Sequence, residues 1–293
     1  MNTFKNFQIN ADSIWEVAAS CIKRYRIAAT IAMIGLMLVL TAHAQNRRDD
    51  VPQPTVFQAA GPNVGSIQSS VDQFRAALGA NNGVTPAGGP ILTEGRREIN
   101  WDGGNPANTA TTLSPTPLDA FLVGRGTRFT TPGSGFVQAP AAGLADLFGN
   151  PSYATIFKPF SPMRLFSPLD SNVTDTLFFV PGGGEVRAAT RGFGVVFTDV
   201  DLPDGSDPGP KQGNRHASTL IEFFGANGED LFSSFAPASP GDGNLTFFGI
   251  VFDDPRIARV RITTGAAAGP DDSRKRDVVM LDDFIYGEPQ AIH

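Results

Sequence analysis

The stretch FFGIVFDDPRIARVRITTG, Phe247 to Gly265, decides the fold. In its second half Ala258, Val260 and Ile262 face one way, and Arg259 and Arg261 face the other. Period-two alternation with one apolar and one charged side marks a strand with one buried and one wet face, the habit of antiparallel sheets. The first half is an apolar run closed by Asp253 and Asp254, residues that commonly end strands. No helical pattern separates the two halves, which argues against a parallel α/β sheet.

The same grammar extends outward. REINWDG, NVTDTLFFVP, GFGVVFTDVD, STLIEFFG and VVMLDDFIYG are further strand candidates, rich in Val, Ile, Thr and Phe and bounded by Gly, Pro, Asn or Asp. The chain has 23 Phe against 3 Tyr and 2 Trp, and Phe at period-two positions is core material. One segment differs. In SIQSSVDQFRAALG, Ile67, Val71, Phe74 and Leu78 fall on one helical face, with Ser66 as N-cap and Gly79 just past the end. The fold class expected is therefore all-β: an antiparallel, jelly-roll-like β-sandwich with one short N-terminal amphipathic helix. It occupies residues 66–293 as a single domain, the helix at 66–79 included. Long Gly/Pro-rich loops are expected at 102–119, 202–217 and 265–276.

The N-terminus reads as a leader. Lys23, Arg24 and Arg26 precede the uncharged stretch Ile27–Thr41, and Ala42-His43-Ala44 offers a signal-peptidase site. Those 15 apolar residues fall short of the roughly 20 a membrane-spanning helix needs. Residues 1–44 are thus expected to be a secretory signal peptide and 45–65 a polar, flexible linker. The mature chain is expected outside the cytoplasm, secreted or periplasmic, with no membrane association after cleavage. N-terminal sequencing of exported protein should read Gln-Asn-Arg; a product retaining Met1 in the membrane fraction would contradict this.

Cleavage removes Cys21, the only cysteine, and with it any disulfide or thiolate chemistry. It leaves 19 basic and 27 acidic residues, a net charge of −8 that argues against nucleic acid and offers carboxylates to hard cations.

GRREINWDG, FSPMRLFSPLDSNVTDTLFFVPG, GFGVVFTDVD, IEFFGANGEDL, FFGIVFDDPRIARVRITTG and DVVMLDDFIYGE together resemble an uncharacterised family of secreted bacterial β-sandwich proteins. Some similar proteins carry a PEP-CTERM sorting tail, and this chain departs from them in ending GEPQAIH. The resemblance spans about Glu94 to Glu288 and implies a fold and a compartment, but no activity.

The catalytic signatures searched for are missing. Beyond the leader only His216 and His293 could serve a triad, and there is no G-x-S-x-G elbow, phosphate loop or zinc cluster. The protein is expected not to be an enzyme. A polysaccharide hydrolase using two carboxylates is the alternative, since the separation of such a pair is invisible in sequence.

The acids carry the remaining chemistry. Asp199 and Asp201 share one face at a strand end, and Asp282 and Asp283 interrupt the apolar run of the last long strand. Calcium takes six to eight oxygens, often from aspartates near strand ends, so these four are candidate calcium ligands. The plainer reading is that such pairs end strands, cap turns or meet Arg259 or Arg261. By alternation Asp282 and Asp283 point to opposite faces, so one is expected to be buried. It would be satisfied by calcium or by backbone N–H groups, beside Asp199 or Asp201. Trp101 shares parity with Ile99 and is expected in the core. Glu98, Asn100 and Asp102 lie opposite and are candidate ligand-binding residues. The function expected is an extracellular binding module for a polysaccharide or matrix component.

Overall fold

The computed structural model describes residues 52–202, 219–270 and 277–292. Residues 1–51, which include the expected leader, most of the loop at 202–217, residues 271–276, and all three histidines lie outside them. Residues from Gln53 onward form one compact unit.

The strands are β1 (Thr55–Gly61), β2 (Arg96–Ile99), β3 (Thr112–Pro115), β4 (Thr127–Thr130), β5 (Gly135–Ala139), β6 (Leu165–Leu169) and β7 (Val173–Phe178), then β8 (Ala188–Ala189), β9 (Gly192–Thr198), β10 (Leu220–Phe224), β11 (Asp230–Phe235), β12 (Leu245–Val251), β13 (Arg259–Thr263), β14 (Met280–Gly287) and β15 (Gln290–Ala291). The helices are α1 (Val64–Leu78), α2 (Leu122–Arg125), α3 (Ala141–Phe148) and α4 (Tyr153–Ile156). An eight-stranded sheet runs β1-β12-β9-β14-β6-β5-β3, with β2 also paired to β14. A five-stranded sheet runs β11-β10-β13-β7-β4, and β15 pairs with β8. The ladders are antiparallel. The protein is an antiparallel β-sandwich.

The main core lies between the two sheets. Phe136, Phe166, Phe193, Val195, Phe197, Phe248, Leu281 and Phe284 enter it from the larger sheet; Phe129, Phe178, Ile221, Phe223, Val260 and Ile262 enter it from the smaller. Trp101 belongs to this core and stacks on Phe166 with ring centroids 3.8 Å apart. The outer face of the smaller sheet is wet, as the alternation of Arg259 and Arg261 requires. There Arg261 donates to Asp175 at 2.8 and 3.0 Å, and Arg259 lies 3.9 Å over the Phe224 ring.

The larger sheet is covered on both faces, which is why β9 and β14 are buried throughout their length. α1 covers one part of its outer face: Ile67, Val71, Phe74 and Leu78 pack on Val196, Leu245, Phe247 and Ile285. α3 and α4 cover another through Leu144, Tyr153 and Ile156, against Val137, Leu165 and Met280. The N-cap of α1 is Asn63, whose side chain accepts from the Ser66 N–H, rather than Ser66 itself. α1 approaches the sheet closely because Gly194 and Gly249 face each other beneath Phe74. A Cβ at Gly194 would lie 2.8 Å from the Phe74 ring, and one at Gly249 2.9 Å from it. Gly194→Val is therefore expected to lift the helix and cost about 1–3 kcal/mol by overpacking. Chemical denaturation checks this; an unchanged midpoint would refute the contact.

Two expectations need correction. The stretch read as a linker includes β1, whose residues Thr55 to Gly61 all pair with β12. Its alternate residues Phe57 and Ala59 pack under α1. The loop expected over 102–119 includes β3, which forms an edge on β5.

Candidate functional site

The two aspartates of the last long strand sit in a β-bulge. Leu281 opposes Phe197 and Phe284 opposes Val195, so Asp282 and Asp283 together face the single residue Val196. The extra residue resets the alternation. Leu281 and Phe284 both enter the core between the sheets, and both aspartates turn to the outer side. They do not point to opposite faces as strict alternation implies.

There they hold the segment from Phe160 to Arg164, which leads into β6. The Phe160 N–H donates to Asp282 at 2.5 Å, and the Ser161 hydroxyl donates to Asp283 at 2.5 Å and lies 3.4 Å from Asp282. Asp102, fully buried, accepts the N–H groups of Met163 at 2.6 Å and Arg164 at 2.9 Å. Arg75 on α1 closes the cluster, donating to Asp283 at 3.3 Å and to Glu98 at 2.7 and 3.2 Å. The two sets of acids singled out from sequence, Asp282 with Asp283 and Glu98 with Asp102, thus meet in one seam between α1 and the Phe160–Arg164 segment. Burial raises the pKa of Asp282 well above the usual carboxylate range, and the neighbouring Asp283 charge adds to it. Burial pushes Asp283 up to about 6, against the opposing pull of Ser161 and Arg75. Burial also raises Asp102, outweighing its two backbone bonds. The pair therefore keeps a proton well above the pH at which an ordinary Asp loses it.

Asp199 and Asp201 lie elsewhere, at the end of β9. Asp199 takes a left-handed backbone (φ 70°), and its N–H donates to the Asn244 carbonyl at 2.9 Å. Asp201 accepts from the Gly241 N–H at 2.9 Å. Asp199 thus meets the turn through its backbone and Asp201 through its carboxylate. The four aspartates do not assemble into one ligand set, and among the described residues no group of three or more His, Cys, Asp or Glu is placed to hold a metal. The bulge is the physical reason, since it commits Asp282 and Asp283 to backbone and hydroxyl donors. Thermal melts in calcium and in EDTA are expected to superimpose; a gap of several degrees would restore an ion. The expected ligand-facing set, Glu98, Asn100 and Asp102, is corrected as well. Glu98 is half-buried between Arg75 and Arg96, Asn100 Oδ1 accepts the Asp102 N–H at 3.4 Å, and Asp102 is sealed. α1 and the Phe160–Arg164 segment cover the face that alternation alone would leave open.

The accessible chemistry lies at one end of the sandwich, on loops that sequence reading left unassigned. The loop after α1 is tied down by an ion pair between Arg97 and Glu288, whose side chains are 0% and 1% exposed. Arg97 contacts the two Glu288 oxygens at 2.6 and 2.7 Å. It also donates to the carbonyls of Gly83 at 3.0 Å and Gly124 at 2.9 Å and to the Thr85 hydroxyl at 2.8 Å. Asn82 bridges Glu288 and the Glu94 carbonyl at 2.8 and 2.7 Å. On this frame sits a cleft of about 680 Å³, lined by the last turn of α1 and by Asn82, Glu94, Arg191, Asp253 and Gln290. A second hollow of about 620 Å³ adjoins it, sharing Thr93, Pro255 and Gln290, with Ile91, Leu92 and Ile292 on its walls. Ile91 is 70% exposed. Lining drawn from five separated segments leaves no local motif in the sequence.

No protein-family model and no curated protein matches this chain. Among solved structures the chain is similar to a point mutant of the lectin binding domain of Lectinolysin complexed with Lewis b. The match is at 10% identity, over 68% of this chain and 99% of that one, with a TM-score of 0.23.

Proposed function

We propose that this protein is an exported, non-catalytic β-sandwich that binds a glycan or another extracellular matrix component at the open end of the sandwich. The observation that carries the reading is the cleft beside α1, where polar side chains from separate loops converge next to an apolar shelf, the usual make-up of a ligand site. The frame beneath it is rigid, because a buried ion pair fixes the loop that forms one wall. The carboxylates that first suggested chemistry are spent on structure: Asp282 is 0% exposed and cannot meet a substrate.

A glycan array probed with the protein should give selective binding. Asp253→Ala should abolish most of it while changing stability by no more than about 0.5 kcal/mol, because the residue is exposed. Binding that survives Asp253→Ala and Glu94→Ala would move the site elsewhere. A polysaccharide hydrolase is the second reading, favoured by the presence of two carboxylates, Glu94 and Asp253, in one cleft. A polysaccharide digestion screen separates the two. No product is expected; product that disappears in Glu94→Gln or Asp253→Asn would make the protein an enzyme.

A further inference from the structure

We infer that the ligand of this end is an amine-bearing oligosaccharide, a chain of amino sugars long enough to span both hollows. The inference rests on the binding reading above and gives it a ligand class. The first hollow is rich in acceptors. Glu94 and Asp253 line it with exposed carboxylates, while at the last turn of α1 the Ala77 and Gly79 carbonyls already accept from Arg191 and Arg96. Arg191 is the cation on this wall, and its guanidinium is turned to the Ala77 carbonyl. Asn82 and Gln290 spend side-chain N–H groups within the protein, on Glu288 with the Glu94 carbonyl and on the Thr93 carbonyl. What the hollow offers outward is led by its two carboxylates, and the complementary ligand is rich in donors and positive. An amino sugar brings an ammonium group and several hydroxyl donors on each unit. A lysine side chain brings its donors at one point only, and so fills this lining less well. The adjoining hollow is more apolar, with Ile91, Leu92 and Ile292 on its walls beside Glu229 and an Arg256 already paired with Asp254, and suits the C–H face of a following ring. Each hollow alone is in the size range of a small-ligand site, so the two together call for a chain rather than a single unit.

The test is calorimetric binding of the full chain to glucosamine oligomers of one to six units and to their N-acetylated counterparts, which differ in charge but not in backbone. The free-amine series should bind about five- to tenfold more tightly, the scale of one or two partly exposed ion pairs. The advantage should shrink in high salt and in Glu94→Gln/Asp253→Asn. Ile91→Ser should weaken the longer oligomers and leave the monomer unchanged. Equal affinity for the two series would overturn the charge argument and leave glycan binding standing. Binding independent of length would overturn the spanning argument. Binding of a lysine-rich peptide with no glycan bound at all would overturn both this inference and the reading beneath it.

Discussion

Arg97→Met is expected to cost the fold about 3–5 kcal/mol, the largest effect of any single replacement considered for this protein, because it strands a buried carboxylate. In a domain of this size that corresponds to a fall in melting temperature of roughly 6–20 °C. Glu288 would keep its place at the end of β14, 1% exposed, with the Asn82 amide as its remaining side-chain partner. The Gly83 carbonyl and the Thr85 hydroxyl would lose the guanidinium donor at the same time, and the Gly124 carbonyl would keep the Thr85 N–H alone. Glu288→Leu alone should be comparably damaging, since it leaves the guanidinium unpaired. The double variant Arg97→Met/Glu288→Leu should recover part of the loss, because removing both charges of a buried pair is far milder than removing one. Thermal melts of the four proteins form a double-mutant cycle. A near-neutral Arg97→Met would mean that the pair does not secure the loop after α1. Glycan binding should fall with stability in the single variants, because the same loop walls the cleft.

The second large effect is expected at the bulge. Asp282→Ala removes the acceptor of the Phe160 N–H and is expected to destabilise by about 1–3 kcal/mol. Asp282→Asn keeps the shape and a carbonyl acceptor, mimics the protonated acid, and should be much milder at neutral pH. The pH dependence fixes the sign. Both aspartates have folded-state pKa values above their unfolded values, so the folded protein holds more protons than the unfolded chain in the window between. Stability from this pair is therefore greatest below the ordinary Asp value of 3.8 and falls as pH rises towards about 6 for Asp283, continuing further for Asp282. Asp102 titrates in the same direction. Asp119, lowered by its bonds to Arg128, contributes the opposite slope at more acidic pH. Denaturation across pH 4 to 7 should give a decline in the parent that Asp283→Asn flattens. A parent profile that rises over this range would refute the assignment.

Period-two and period-3.6 patterns made the sandwich and α1 legible because each depends on neighbours in sequence. Ile67, Val71, Phe74 and Leu78 are all buried, and the alternation of Val260 and Ile262 against Arg259 and Arg261 places the two faces of β13 correctly. The site was less legible because its features depend on partners far along the chain. The bulge at Asp282 exists only relative to Val196 on β9, and no local pattern marks it. Arg97 shares parity with Ile99 and so stands at an inward position. That is a visible anomaly for a charged residue, but its partner lies 191 residues away. β1 reads as a linker in sequence because Pro54 and Pro62 flank it and its inward residues serve a helix cover rather than the main core. The acids opposite Trp101 read as an open face because alternation along the chain says nothing of what lies above it.

The position of β14 in the larger sheet bears on how the chain can be made and moved. It lies between β9 on one side and β6 with β2 on the other, yet it leaves the ribosome after every strand except β15. Until then β9 lacks one neighbour, β2 lacks its ladder partner, and Arg97 waits for Glu288. The larger sheet closes only when residue 288 has emerged. Non-local pairing of this kind is slow to form. Until β14 has emerged the strands made before it stay open on this side, which is the state a chain needs if it is to be threaded through a translocation channel.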